Sequence, residues 1–262
     1  MEDIAGLLGR MPEQHAVIES LVRPFAAMTP AGQPTRATQP CVGGCPFLPE
    51  GAPWPTYDGD RLSFLAQVDF AEVPPLPGFP RAGLLQWFVA RTGSYGMTYD
   101  ESAGTVGFEA RWYSAQDLTA RPQLAPGDPL PFASRSPGPA GDGGWGRAVA
   151  FTLEDGVPSR EELDSLEIAS YRLLREADPD WELYESDDNP QSYGSGSKVG
   201  GYPYPVQNDP RYRFPDRCPT LLVQLDADLV MWGDAGAAQL FGDPAALGRG
   251  DLSSTWWDWA CA

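Results

Sequence analysis

Val42-Gly43-Gly44-Cys45-Pro46-Phe47 returns as Val199-Gly200-Gly201-Tyr202-Pro203-Tyr204, 157 positions further along the chain. Leu65-Ala66-Gln67-Val68-Asp69 returns as Leu222-Val223-Gln224-Leu225-Asp226 at the same offset of 157. A third block, Gly83-Leu84-Leu85-Gln86-Trp87-Phe88, returns as Gly236-Ala237-Ala238-Gln239-Leu240-Phe241 at an offset of 153. Three blocks in one order predict an internal duplication, two similar half-domains packed as one body. The expected class is α+β, strand-rich, with helices at the N-terminus. A duplicated scaffold has a seam between its halves, and clefts between packed units are common ligand sites.

The expected divisions follow composition. Residues 1–38 form an N-terminal helical segment: Ile4, Leu7, Leu8 and then Ala16, Val17, Leu21 recur at helical spacing, with Pro12 opening a second helix, and the helical reading runs over 1–30. The first repeat half spans 39–120, with strands at 62–69, 84–90 and 105–113. Residues 121–146 are a Pro/Gly-rich linker. Residues 147–198 hold a strand, a helix and an acidic loop. Ser159 and Glu162 are spaced as a capping box opening a helix to about Arg175, with Leu163, Leu166, Ala169 and Leu173 as its apolar stripe. The second half, 199–262, has strands at 221–225 and 229–232 and ends on Trp256, Trp257 and Trp259.

The 262 residues carry a formal net charge of -18. Phosphate binding requires clustered Lys and Arg, so nucleic acid and anionic membrane surfaces are disfavoured as partners. Between Glu154 and Asp188 thirteen acids face only Arg160, Arg172 and Arg175. That stretch reads either as a solvated face or as a platform for a basic protein or peptide, speeding association. No apolar run of about 18 residues occurs, and the N-terminus lacks the pattern of a signal peptide, so the expected compartment is the cytoplasm. Four scattered cysteines fit a reducing setting. The scarcity of lysine, with Lys198 alone, fits a GC-rich bacterial genome.

Catalytic patterns are thin. His15 is the only histidine, and no nucleophile motif, P-loop, dinucleotide fingerprint or zinc spacing accompanies it. No catalytic residue, metal or cofactor is assigned. Candidate binding residues are those of the repeated corners and strands: Gly43, Gly44, Pro46, Trp54, Gln67 and Asp69 in one half, Gly200, Gly201, Pro203, Gln224 and Asp226 in the other, with Trp232 and Asp234. Paired glycines before X-Pro either line a ligand groove or turn a corner against a neighbouring strand. Gln67 and Gln224, among apolar neighbours, need buried partners for their amides and are expected to tie strand to glycine turn. Asp226, Asp228 and Asp234 are either cation ligands or turn caps.

With the Trp54-Pro55, Gln207-x-Asp209-Pro210 and Met231-Trp232-Gly233-Asp234-Ala235-Gly236 segments added, the blocks from about residue 40 to the end resemble the bacterial YwqG-like family, also catalogued as domain of unknown function 1963. Ser197-Lys198-Val199-Gly200-Gly201-x-Pro203 and Leu62-Ser63-Phe64-Leu65 are also similar to the programmed cell death protein 2 family. Members of that family are dedicated chaperones of a ribosomal protein; their zinc-finger insert is missing here. The segment Gln191–Lys198 departs from the bacterial pattern in lacking a histidine. The resemblance implies a non-enzymatic protein-binding module, a chaperone-like escort or an immunity-type antagonist of a basic protein. The alternative is a small-molecule-binding protein or enzyme using a seam pocket lined by Trp54, Trp87 and Trp232. Partner identity and oligomeric state are not legible.

Overall fold

The computed structural model describes residues 4–92, 95–96, 106–123, 146–165, 169–184, 193–207 and 209–261. The linker expected at 121–146 therefore lies, from 124 to 145, outside the described residues. The chain is strand-rich with a few short helices. Its strands are β1 (Arg23–Pro30), β2 (Cys41–Val42), β3 (Thr56–Tyr57), β4 (Asp60–Arg61), β5 (Ser63–Asp69), β6 (Leu84–Val89), β7 (Phe108–Tyr113), β8 (Arg147–Gly156), β9 (Lys198–Gly200), β10 (Leu221–Leu225), β11 (Ala237–Phe241) and β12 (Trp256–Ala260). The helices are α1 (Ile4–Arg10), α2 (His15–Leu21), α3 (Arg160–Ser165), α4 (Ala169–Ala177) and α5 (Pro244–Leu247).

Among the described residues ten strands form one antiparallel sheet in the order β12-β11-β10-β9-β1-β8-β2-β5-β6-β7, and β3 and β4 make a separate hairpin. Along the inner face the apolar side chains follow the two-residue period of a strand. Leu85, Trp87 and Val89 of β6, Ala238 and Leu240 of β11, and Trp257 of β12 all enter one core. Trp87 meets Trp257 edge to face with ring centroids 5.7 Å apart. Seven strands separate β6 from β12 in the sheet, so at about 4.8 Å per strand a flat sheet would hold them roughly 38 Å apart. The sheet is therefore curled until its two ends pack on each other through buried tryptophan. Each such ring, fully buried, contributes on the order of 2–3 kcal/mol by removal from water.

The structure corrects three local readings. The N-terminal segment is helical only to Leu21; Arg23–Pro30 is strand β1, inserted between β9 and β8. Its two prolines sit near the strand ends, where a missing N–H costs least, and Phe25, Ala26 and Met28 are buried. The stretch 229–232 is not a strand: the amides of Leu229 and Val230 both donate to the Asp226 carbonyl and close a turn, and Trp232 makes an isolated antiparallel bridge to Gly236. The helix expected from Ser159 to Arg175 is seen as α3 and α4, with 166–168 outside the described residues. Its stripe shifts by one residue, because Leu174 is fully buried while Leu173 is 51% exposed. α1, α2, α3 and α4 share a second core with Trp181, Tyr184 and Tyr193.

Candidate functional site

Both glycine pairs adopt left-handed backbone, with φ of 66° and 83° at Gly43 and Gly44 and 71° at both Gly200 and Gly201. A side chain on Gly201 would also place its Cβ 2.8 Å from the Cβ of Phe25. Each corner presents a backbone segment to a buried glutamine. Gln67 accepts from the Phe47 amide at 3.0 Å and donates to the carbonyls of Ala37 (2.7 Å) and Gln39 (2.8 Å). Gln224 accepts from the Tyr204 amide at 2.7 Å and donates to the carbonyls of Gly194 and Gly196, both at 2.8 Å. Every partner in the second set lies 157 positions after its counterpart in the first. Gln86 donates to the Phe47 carbonyl and Gln239 to the Tyr204 carbonyl, each at 2.7 Å. These amides are committed to backbone groups, and the corners with Pro46 and Pro203 are packed rather than open.

The acids beyond the strands hold turns. Asp69 accepts from the Ala71 amide at 3.0 Å, and burial pushes its carboxyl above the usual range. Asp226 accepts from the amides of Gly196 and Ala227, at 2.7 and 2.6 Å. Asp228 takes the hydroxyl and amide of Ser197, at 2.5 and 3.2 Å. Asp234 is exposed. The three tryptophans expected to line one pocket do not converge. Trp232 and Trp87 both pack on Trp257, whose ring centroid lies 6.1 Å from that of Trp232 and 5.7 Å from that of Trp87. Trp54 packs against Phe88 on the outer face and donates to the Leu62 carbonyl. The place where the ends of the sheet meet is thus filled with indole rings.

Sequence reasoning missed a buried charge cluster on the outer face of the second set of strands. Ser159 caps α3 as its spacing predicts, its hydroxyl accepting from the Glu162 amide at 3.2 Å. The Glu162 carboxylate, with no solvent exposure, turns to the Arg211 guanidinium at 2.9 Å. Arg211 in turn grips Asp209 through Nε at 2.9 and 3.1 Å and through Nη2 at 2.5 Å. The second Glu162 oxygen, Oε2, is buried and has no hydrogen-bond partner among the described residues. Burial pushes the Glu162 carboxyl up to about 7, the loss of solvation outweighing the attraction of Arg211, and Arg211 itself is held more firmly protonated by its two acids. Lys198, 1% exposed, donates to the Gly194 carbonyl and lies 5.0 Å from the Phe25 ring. Tyr202 donates to the Leu21 carbonyl at 2.7 Å, and burial raises its hydroxyl to about 12. The signal available in the sequence was an offset: 157 positions before Lys198, Asp209 and Arg211 stand Cys41, Ala52 and Trp54. Arg211 sits 6.0 Å from the Phe241 ring, and Trp54 sits 5.8 Å from the Phe88 ring. One location thus carries charges where its counterpart carries apolar groups.

Residues 41–261 match the family model described as a domain of unknown function, DUF1963. The chain belongs to the DUF1963 family. No curated protein matches it. The match begins at β2, so α1, α2 and β1 of this DUF1963 protein lie before the matched residues although β1 is a member of the sheet.

In this DUF1963 chain the acidic stretch divides by burial. Asp155, Glu176, Asp180 and Glu182 are exposed, whereas Glu162 and Asp178 are buried. Asp178 accepts from the amides of Leu183 (2.8 Å) and Tyr184 (2.9 Å) and so fixes the turn after α4. Leu173 and Leu183 are 51% and 41% exposed within the same segment. Among the described residues no group of acids, cysteines and histidine is arranged to hold a metal ion.

Proposed function

We propose that this protein is a non-enzymatic binding module that captures a basic protein or peptide on the face formed by α4 and the turn after it. The observation that carries the reading is the joint exposure of Glu176, Asp180 and Glu182 with Leu173 and Leu183 on a chain of net charge -18. Carboxylates steer a cationic partner, and exposed leucines add apolar area that electrostatics alone does not supply. The tryptophan packing at the seam supports a surface over a seam pocket as the place of action. The likeness to the programmed cell death protein 2 chaperones points the same way, toward an escort or an immunity-type antagonist acting in the cytoplasm. Four free thiols fit that setting.

The fold behind this surface we read as an internal duplication. Its support is the repeated glutamine bonding and a strand irregularity at matching places, between Phe64 and Ala66 in β5 and between Leu221 and Val223 in β10. In this reading the strand leading into each copy is exchanged: β8 pairs with β2, and β1 pairs with β9. The segment 157–193 has no counterpart of similar length between β1 and β2. It carries both the acidic face and Glu162.

The test is capture from the native cytoplasm with the wild type and with a Glu176→Lys, Asp180→Lys, Glu182→Lys triple variant. The expected result is a basic protein held in stoichiometric amount by the wild type, released by moderate salt and lost with the triple variant. Salt acts because the Debye length shrinks to about 10 Å at 0.1 M. Retention of the same protein by the charge-reversed chain would refute the acidic-face reading.

A further inference from the structure

The geometry points to a proton-operated latch at Glu162, which seats α3 firmly on the sheet when the carboxyl is protonated and loosens it when the carboxyl ionises. The latch stands apart from the docking reading and would hold were the acidic face to bind nothing.

The argument begins with position. Glu162 is the third residue after the cap Ser159, so its side chain leaves the first turn of α3 and crosses to the turn Pro210–Tyr212. Its contact with Arg211 is a direct bond, 2.9 Å long, between α3 and the strand-connecting segment beneath it. The groups facing Glu162 are Arg211 and Asp209 from that segment, Lys198 from β9 and Tyr202 just beyond β9. Arg23 of β1 stands over the Tyr202 ring at 4.4 Å. An ionised Glu162 would give two carboxylates facing two cations, a balanced set. Yet one of its oxygens has no donor among the described residues, and an ionised carboxylate oxygen without a donor in a dry site is costly. The neutral acid avoids most of that cost while Arg211 keeps Asp209 as its partner.

The sign follows from linkage. A carboxyl held above its ordinary value of 4.5, up to about 7, keeps its proton in the seated state where the unseated state has lost it. Seating is therefore strongest below pH 4.5, weakens as pH rises toward 7, and levels off above. The full separation of the two values corresponds to about a 300-fold change in the seating equilibrium, and we expect about tenfold or more.

Hydrogen–deuterium exchange of the intact chain at pH 5 to 8, expressed as protection factors, tests this. Protection of α3 should fall by about tenfold or more between pH 5 and 7 relative to β5 and β10. Glu162→Gln, which keeps an acceptor for Arg211 and cannot ionise, should hold α3 protection constant over the same range. A wild-type α3 whose protection does not change with pH, or an equal change in Glu162→Gln, overturns the latch. Direct ¹³C titration of the Glu162 carboxyl in the unaltered chain tests it independently of how the variant folds. Titration near pH 7 is the expected result, and a carboxyl titrating in the ordinary range overturns the proposal.

Discussion

Replacing Gln224 by leucine preserves the size of the side chain and removes three hydrogen bonds at once. The Tyr204 amide loses its acceptor and the Gly196 carbonyl loses this donor, while the Gly194 carbonyl keeps the Lys198 ammonium as a donor. Of the three bonds, the one to Gly194 is fully buried and the other two are part-buried. A buried polar group left unsatisfied costs about 1–3 kcal/mol, and two groups are left so, which makes the sum roughly 2–4 kcal/mol. Gln67→Leu removes the matching set, with Phe47 as the buried partner, and also deprives Gln86 of a contact at 3.1 Å. It should therefore cost slightly more than its counterpart. Against a typical stability of about 5–15 kcal/mol either loss is severe. Urea unfolding followed by far-ultraviolet circular dichroism measures it, with the slope unchanged and the midpoint lowered. The two sites share no partner, so the double variant should be additive to within about 0.5 kcal/mol if it still folds. A cost under about 1 kcal/mol at either site would refute the claim that these amides fasten the corners.

Three further outcomes are expected. Gly236→Ala should be strongly destabilising, because the new Cβ would lie 2.1 Å from the Ala260 carbonyl oxygen and 2.7 Å from that of Trp232, both backbone atoms; Gly51→Ala, with open space and only a left-handed φ of 84° to resist it, should cost about 1 kcal/mol in thermal unfolding. Burial pushes the Asp258 carboxyl up to about 6 despite its pairing with Arg213, so it keeps a proton in the fold that it loses on unfolding. Wild-type stability should accordingly fall as pH rises from about 4 to 6, and Asp258→Asn should flatten that part of the profile in urea titrations. Cys45 is exposed while Cys41 is buried with its thiol pushed up to about 12, so iodoacetamide at pH 8 should label Cys45 in the native protein and Cys41 only after unfolding, as peptide mass mapping will report.

Much of the sheet was legible because its signals are local. Gln67 and Gln224 stood out as polar residues inside apolar strands, and glycine pairs before proline admit few backbone shapes. Strand β1 was misread because Arg23–Pro30 carries no clean alternation and follows two real helices without a break in composition. The stretch 229–232 was misread because Leu229, Val230 and Trp232 are apolar in a row, and nothing within that run shows that both Leu229 and Val230 donate to one carbonyl. The spacing of Ser159 and Glu162 predicts a capping box, and half of it forms. The Ser159 hydroxyl accepts from the Glu162 amide, while the Glu162 carboxylate turns to Arg211 instead of back to the cap. That buried carboxylate and its partner 49 positions away could not be read from a spacing of three.

By itself the sequence determined the family, the strand-rich class, the recurrence of one glycine–proline corner with one glutamine strand, and the excess of acid between Glu154 and Asp188. Each of these is written in residues a few positions apart, or in a spacing repeated along the chain. Only the tertiary structure decided that β1 pairs with β9 while β8 pairs with β2, and that Trp87 and Trp257 meet across a curled sheet. It alone separated the acids at the surface from Glu162 and Asp178 inside. The physical reason is that burial and strand choice depend on which distant segments exclude water together, and that is a property of the closed chain rather than of any stretch within it.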